Sequence, residues 1–256
     1  MALSSLRDLL AEDGFVLSAW SALRDPIVHE ALIRSPFDAI TFDVQHGLHD
    51  LASLEAGIGR AALLGKPAIV RLALEDRAHA ARCLDLGASA VVMPMIGSAD
   101  EARAFAEAVK YAPLGARSYG PTRAAELHGF SGGADYMRVA NRETLALAMI
   151  ETGSALEAVE AILDVEAIDG VFVGPSDLSI ALSADGTLDP RGEAGERAIT
   201  RIADAARKAG KLAAIYAITA EDARRYRALG YRLVCVASDI GFLKTAAASL
   251  VAAVRA

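Results

Sequence analysis

An aspartate precedes a histidine by three residues in the run Phe42-Asp43-Val44-Gln45-His46-Gly47. In a tight turn, that spacing lets the carboxylate orient and polarise the imidazole, as a general base near neutral pH requires. Arg71 ends the otherwise apolar run Ala68-Ile69-Val70-Arg71. A guanidinium there stays charged and offers a fork of donors to a carboxylate or a developing enolate oxygen. Glu151 follows the apolar run Leu147–Ile150, and Asp177 closes Gly174-Pro175-Ser176-Asp177. Neighbouring buried carboxylates repel unless a cation lies between them. Hard oxygen ligands favour Mg²⁺ or Mn²⁺ with water in the remaining positions, and Co²⁺ is a further candidate. Gly174-Pro175-Ser176 would also present the N–H groups of Ser176 and Asp177 at a helix start, a natural anion pocket. A base, an arginine, an anion cradle and a metal converging on one mouth can enolise a 2-oxo acid, with charge on the enolate oxygen stabilised by the ion and Arg71.

Each group also has a plainer reading. Asp43 can cap a turn and leave His46 as a solvated loop residue, and Arg71 can form an ion pair with a neighbouring acid. Asp177, Thr152 and Ser154 can serve as helix N-caps. His29, His49, His79 and His128 show no metal-ligand spacing, and the first three read as surface residues. Gly57-Ile58-Gly59 lies inside a helical pattern and lacks the third glycine of a dinucleotide loop.

The elements that must position these groups alternate along the whole chain. Short apolar runs predict strands at Phe15–Ala19, Ala39–Phe42, Ala68–Leu72, Ala90–Met93, Leu147–Ile150, Gly170–Val173, Leu212–Tyr216 and Leu233–Val236. Apolar residues at three- and four-residue spacing predict helices at Asp25–Ile33, Leu51–Leu64, Asp76–Leu86, Ala99–Val109, Leu156–Asp164, Ala194–Ala209 and Ala220–Leu229. Glycines at 65, 87, 210 and 230 mark helix ends before the next strand. Near-continuous apolar strands describe a parallel sheet covered on its outer face. Eight of them close an α/β (β/α)8 TIM barrel, a single domain over 1–256, with an open doubly wound sheet as the alternative. In a barrel, strand C-terminal ends build the active site, and Asp43, His46, Arg71, Glu151 and Gly174–Asp177 all fall at or just beyond them. One long connection, Pro94–Ala146, carries a Gly/Pro/Ser-rich stretch from Ala112 to Gly133 and would lie over the barrel mouth.

A length of 256 residues suits one such barrel. A net charge of −7 and the lack of any basic run argue against nucleic acid. The segment Met1–Gly14 has neither the basic start nor the unbroken apolar core of a signal peptide. Cys83 and Cys235 read as buried free thiols, so a cytoplasmic protein is expected.

Taken in order, the residues resemble the HpcH/HpaI aldolase family, the class II, metal-dependent pyruvate aldolases. The match runs through Trp20, Phe37-Asp38 to Gly47, Arg71, Gly87-Ala88, Pro94-Met95, Glu101-Ala102, Gly115-Ala116-Arg117, Ile150-Glu151-Thr152, Gly174 to Ser179, and Ala223 to Gly230. The resemblance implies a barrel assembled as a homohexamer of two trimers with an exchanged C-terminal helix. It implies Glu151 and Asp177 as metal ligands, His46 supported by Asp43 as the base, and Arg71 steadying the enolate. The Ser176 and Asp177 amides would hold the substrate carboxylate, with Gly174 and Trp20 in the same substrate-binding set. Family substrates are 4-hydroxy-2-oxo acids, cleaved to pyruvate and an aldehyde, and the reverse addition; hydroxypyruvate is the alternative donor. Two positions depart from many members: Gln45 where glutamate is frequent, and Met149 where some carry glutamine. The segment Ser118–Arg123 is a candidate for the acceptor side. The competing readings are a related barrel lyase acting on acyl-CoA thioesters, disfavoured by the lack of a basic cluster, and a non-catalytic barrel that only binds a 2-oxo acid.

Overall fold

The computed structural model describes residues 5–121 and 123–256. The first four residues of the Met1–Gly14 segment, and Thr122 within Ser118–Arg123, lie outside the described residues. Eight parallel strands close on themselves in sequence order: β1 (Val16–Ser21), β2 (Ala39–Asp43), β3 (Ala68–Arg71), β4 (Ala90–Met93), β5 (Leu145–Ile150), β6 (Gly170–Val173), β7 (Leu212–Ala217) and β8 (Leu233–Val236). The predicted barrel is the observed one, with all eight predicted strands within two residues of their ends.

Alternation along the strands sorts side chains into two cores. Ile40, Phe42, Val70, Val91, Ala148, Val171, Ile215 and Val234 point outward to the helices. Ala39, Ile69, Ala90, Val92, Leu147, Met149, Phe172, Ala214 and Cys235 point into the barrel. Because the period is two, each strand's last inward position is fixed by its first. That rule sends Trp20, Asp43, Arg71, Met149 and Tyr216 to the interior at the C-terminal mouth.

The outer layer holds α2 (Pro26–Arg34), α3 (Leu51–Leu63), α4 (Arg77–Asp85), α5 (Ala99–Val109), α6 (Ala124–Leu127), α7 (Gly133–Glu143), α8 (Gly153–Glu157), α9 (Val159–Leu163), α10 (Pro175–Leu182), α11 (Glu193–Lys208) and α12 (Ala220–Ala228). The helix expected over Leu156–Asp164 is instead two short helices, broken at Ala158 (φ −91°, ψ 6°). Gly87, at φ 107°, makes the left-handed turn from α4 into β4, a conformation a side chain would strain.

The N-terminal end of the barrel is sealed by α1 (Leu6–Leu9). Its Leu6, fully buried, joins the interior core, and such burial stabilises by about 2 kcal/mol. Around the plug, Lys110 Nζ donates to the carbonyls of Asn141 (2.8 Å) and Thr144 (2.6 Å) and to Asp169 Oδ2 (2.7 Å). Asp169 Oδ1 accepts from Arg7 Nη2 at 2.6 Å.

At the other terminus, α13 (Asp239–Arg255) has no counterpart among the helices expected from periodicity. It leaves the barrel: from Leu243 to Ala256 every residue is exposed, including Leu243, Leu250, Val251 and Val254. No helix among the described residues is long and apolar enough to cross a membrane. Cys83 and Cys235 are both buried and free, as expected.

Candidate active site

Register brings Asp43 of β2 opposite Arg71 of β3. Arg71 therefore engages that carboxylate with both prongs, Nε to Oδ1 at 2.9 Å and Nη2 to Oδ2 at 2.7 Å. Trp20 of β1 donates its indole N–H to Asp43 Oδ2 at 3.3 Å, and its ring lies 4.9 Å beneath the guanidinium carbon. Both charged residues are nearly buried, so the pair is held by geometry as well as by attraction. Among the described residues Arg71 Nη1 has no hydrogen bond, which leaves that arm for a ligand.

His46 sits on the loop after β2 and is exposed. The direct support expected from Asp43 to the imidazole is not what the structure has. Asp43 Oδ1 accepts the backbone N–H of His46 at 3.3 Å, while its strong bonds go to Arg71. The ion-pair reading of Arg71 and the turn-capping reading of Asp43 thus both describe real contacts, and Asp43 fixes the position of the His46 turn instead of polarising its ring.

Across the mouth, Gly174 follows β6 as the cap residue and Pro175 opens α10. Proline suits that first position because its fixed φ matches the helix and its missing N–H would have had no partner. The next two N–H groups, of Ser176 and Asp177, lie in the first helical turn, where no intrahelical acceptor exists, and the cap residue has no side chain to receive them. They form a ready anion cradle. Gly174 is required by close approach: a Cβ there would lie 2.5 Å from Glu151 Oε1 and 3.0 Å from Met149 Cε.

Glu151 follows β5, is 2% exposed, and accepts the Met95 N–H on Oε2 at 3.0 Å. Burial, and next the nearby Asp177 carboxylate, push its pKa up to about 7 against the opposing hydrogen bond and Arg71. A divalent cation between the two carboxylates would relieve that repulsion. Among the described residues no three His, Cys, Asp or Glu side chains gather to hold an ion unaided. Two carboxylates with the remaining positions left to water and substrate oxygens is nonetheless the pattern of a hard cation such as Mg²⁺. The residues present fit the group.

These elements surround a cavity of about 290 Å³ lined by Trp20, Ala22, Asp43, His46, Arg71, Met149, Gly174, Pro175, Ser176, Asp177, Tyr216 and Ser238. Of the residues expected to act as base, arginine, anion cradle and metal ligands, all but Glu151 line it, and Glu151 packs behind Gly174. The described residues of Ser118–Arg123, expected on the acceptor side under a connection over the mouth, do not line it. The Arg123 N–H and Arg117 are bonded to Asp85 at the end of α4, and the Arg123 guanidinium donates to Glu55 O of α3. Ala22, Tyr216 and Ser238 are additions. Tyr216 shares the inward parity of Leu212 and Ala214, a signal available in the sequence. Ala22 and Ser238 lie just past the ends of β1 and β8, where periodicity stops informing. A larger cleft of about 690 Å³ runs between α9 and α11, but its charged side chains pair on the surface, as Arg201 does with Glu160 at 3.0 Å.

Two histidines correct the sequence reading. His29 and His49, expected at the surface, are 1% and 7% exposed and stack near each other, ring centroids 5.1 Å apart. His29 belongs to the buried face of α2 with Leu32 and Ile33. Burial, with His29 alongside, lowers the His49 pKa to about 4. Neither lines the cavity.

Known proteins place this geometry in a family. The profile of the HpcH/HpaI aldolase/citrate lyase family matches residues 17–246. A hydroxypyruvate/pyruvate aldolase from Rhizorhabdus wittichii is 34% identical over 240 residues, covering 94% of each chain. A 5-keto-4-deoxy-D-glucarate aldolase from Klebsiella pneumoniae is 32% identical over 241 residues, covering 94% of this chain and 93% of its own. The crystal structure of an HpcH/HpaI aldolase/citrate lyase family protein from Burkholderia cenocepacia superposes with a TM-score of 0.88 at 26% identity, covering 98% of both chains. The chain belongs to the HpcH/HpaI aldolase/citrate lyase family and is an aldolase, a carbon–carbon lyase on a (β/α)8 barrel.

Proposed function

We propose that the protein cleaves and forms 4-hydroxy-2-oxo acids through the enolate of pyruvate or hydroxypyruvate, with an aldehyde as the other partner and a divalent cation as cofactor. The observation that carries this reading is the convergence, around one cavity of about 290 Å³, of His46, the free arm of Arg71, the unpartnered amides of α10 and the Asp177 carboxylate. The donor names of relatives, hydroxypyruvate and pyruvate, support the same substrate class.

The Ser176 and Asp177 N–H groups hold the substrate carboxylate, and Arg71 Nη1 faces the 2-oxo oxygen. Asp43 and Trp20 keep Arg71 from swinging away, so its donor is already in place when charge develops. In cleavage, His46 removes the proton of the 4-hydroxyl, the C3–C4 bond breaks, its electron pair passes into the enolate, the aldehyde leaves, and a proton returned to C3 gives pyruvate and restores the base. In synthesis, His46 takes a proton from C3, and the resulting carbanion adds to the aldehyde carbonyl. Glu151 and Asp177 would hold Mg²⁺, Mn²⁺ or Co²⁺. When bound, such an ion supplies Lewis-acid stabilisation of negative charge at the 2-oxo oxygen. Trp20, Met149, Pro175 and Tyr216 give the cavity apolar wall surface.

The exposed apolar residues of α13 support a homo-oligomer in which this helix packs on a second copy, and the resemblance to the family makes a hexamer of two trimers the expected form. Light scattering of the full chain and of a variant ending at residue 242 tests the assembly. The chemistry is tested by supplying 4-hydroxy-2-oxopentanoate and following released pyruvate, with Mg²⁺ or Mn²⁺ and again with EDTA. Metal-dependent pyruvate release is expected; no release with this or longer 4-hydroxy-2-oxo acids would remove the reading.

A further inference from the structure

Asp239, the first residue of α13, is 2% exposed, and among the described residues no cation pairs with it. Its Oδ2 atom accepts three donors from the loop after β1: Ser21 Oγ at 3.2 Å, Ala22 N at 2.9 Å and Leu23 N at 2.9 Å. Oδ1 accepts Ile240 N at 2.8 Å. The helix does not need this carboxylate as a cap, because Ser238 already accepts the Gly241 N–H. Ala237, at φ 50°, makes the left-handed step that turns Ser238 into the cavity and Asp239 under the β1 loop. A left-handed alanine and a buried carboxylate with no cation partner, whose Oδ2 takes three donors at the end of β1, ask for a purpose.

That loop carries the His46 turn. Ala22 O accepts the Leu48 N–H at 2.8 Å. Gly47 fits between Asp43 and Ala22: a Cβ there would collide with Asp43 O and lie 3.2 Å from the Ala22 Cα. His49 Nε2 lies 3.1 Å from Ser21 O. On its N-terminal side His46 is tied to Asp43. On its C-terminal side, the backbone of Leu48 and the His49 ring are tied to Ser21 and Ala22, the residues Asp239 clamps, while His49 also meets Ser53, His29 and Phe42.

We propose that Asp239 is a positioning residue for His46: by fixing the Ser21–Leu23 loop it holds the far side of the His46 turn, and so roots α13 in the active site. The inference rests on His46 being the base. It predicts that loosening Asp239 harms proton abstraction and spares steps that need no base.

Pyruvate and oxaloacetate separate the two. Exchange of the pyruvate methyl protons into D₂O requires the base. Decarboxylation of oxaloacetate does not: its C3–C4 bond breaks, the electron pair enters the same enolate, and CO₂ leaves without a proton being taken. With Mg²⁺ present, Asp239→Ala is expected to slow methyl exchange by roughly a hundredfold, the scale of an ångström-sized misplacement. The KM for pyruvate and the rate of CO₂ release should stay within about twofold, since the groups that bind the enolate are untouched. The double variant with His46→Ala should exchange no more slowly than His46→Ala alone. If Asp239→Ala does not fold, Asp239→Asn carries the test. Its amide must turn an NH₂ toward either Ala22 and Leu23 or Ile240, and a several-fold loss of exchange with CO₂ release intact is expected. Parallel loss of exchange and CO₂ release, or a further loss in the double variant, would overturn the positioning role while leaving His46 as the base. Exchange surviving in His46→Ala would overturn the base assignment itself and this inference with it.

Discussion

The two ends of this barrel treat charge in opposite ways. At the N-terminal end, Lys110 is buried with three acceptors, and Asp169 is shared among Lys110, Arg7 and the Ala146 N–H. The polar groups of this Lys110–Asp169 cluster are paired, and burial lowers the Lys110 pKa without leaving that charge unpaired. At the mouth, Arg71 keeps an arm free, two α10 amides have no acceptor, and Glu151 is pushed up toward 7 by burial and Asp177. The Lys110–Asp169 cluster is paired within the chain, whereas the mouth keeps donors free for a ligand. Satisfied polar clusters serve stability, and unsatisfied ones at a strand-end mouth serve chemistry.

The comparison is broken most directly at His46. It is exposed and contributes little to packing, so His46→Ala should leave the melting temperature within a degree or two, about 0.5 kcal/mol or less. Aldol cleavage should fall by roughly 10²–10⁴-fold. At the opposite end, Lys110→Met should do the reverse. It orphans two carbonyls and weakens the Asp169 cluster, at a cost near the low end of the usual range for a broken buried pair, about 3 kcal/mol, because Arg7 still holds Asp169. Denaturant titration reads that loss, and kcat per folded molecule should not change.

Acid should attack a third place. Burial sets the His49 pKa at about 4, below the ordinary 6.5, so folding favours the neutral ring. The stability it contributes is complete above pH 6.5 and drains as pH falls toward 4, by about 3 kcal/mol at most. His49→Gln should flatten the fall in stability between those values, measured by denaturation across pH. A slope unchanged by the substitution would mean that His49 is not held neutral. The smallest effect is expected at Gly174→Ala. The new methyl must displace Glu151 or Met149, and the Mg²⁺ concentration giving half-maximal activity should rise by roughly tenfold.

Much of this was legible in the sequence because of the two-residue period. Once Ala68-Ile69-Val70 is a strand with Ile69 inside, Arg71 must also point inside, at the mouth. The same parity carries Asp43, Met149 and Tyr216, the last overlooked because tyrosine on an apolar strand reads as core. The partner of Asp43 was misjudged for a physical reason. Sequence spacing measures closeness along the chain, whereas register sets Arg71 opposite Asp43 across strands 28 residues apart. His49 lies in a loop without a period, so its burial between Phe42 and His29 left no trace in the pattern. His29 did leave one, at the spacing of Leu32 and Ile33. The apolar residues of α13 beyond Phe242 serve no core of this chain, and periodicity alone gives them no place.

The central claim is that the mouth enolises a 2-oxo acid with the help of a divalent ion. Proton NMR of pyruvate in D₂O, with the purified protein and Mg²⁺ or Mn²⁺ and then with EDTA, tests it without knowledge of the aldehyde. The account predicts loss of the methyl signal with metal, and its persistence with EDTA or in His46→Ala. Undiminished signals from both the pyruvate methyl and the hydroxypyruvate methylene, with metal present, would contradict it.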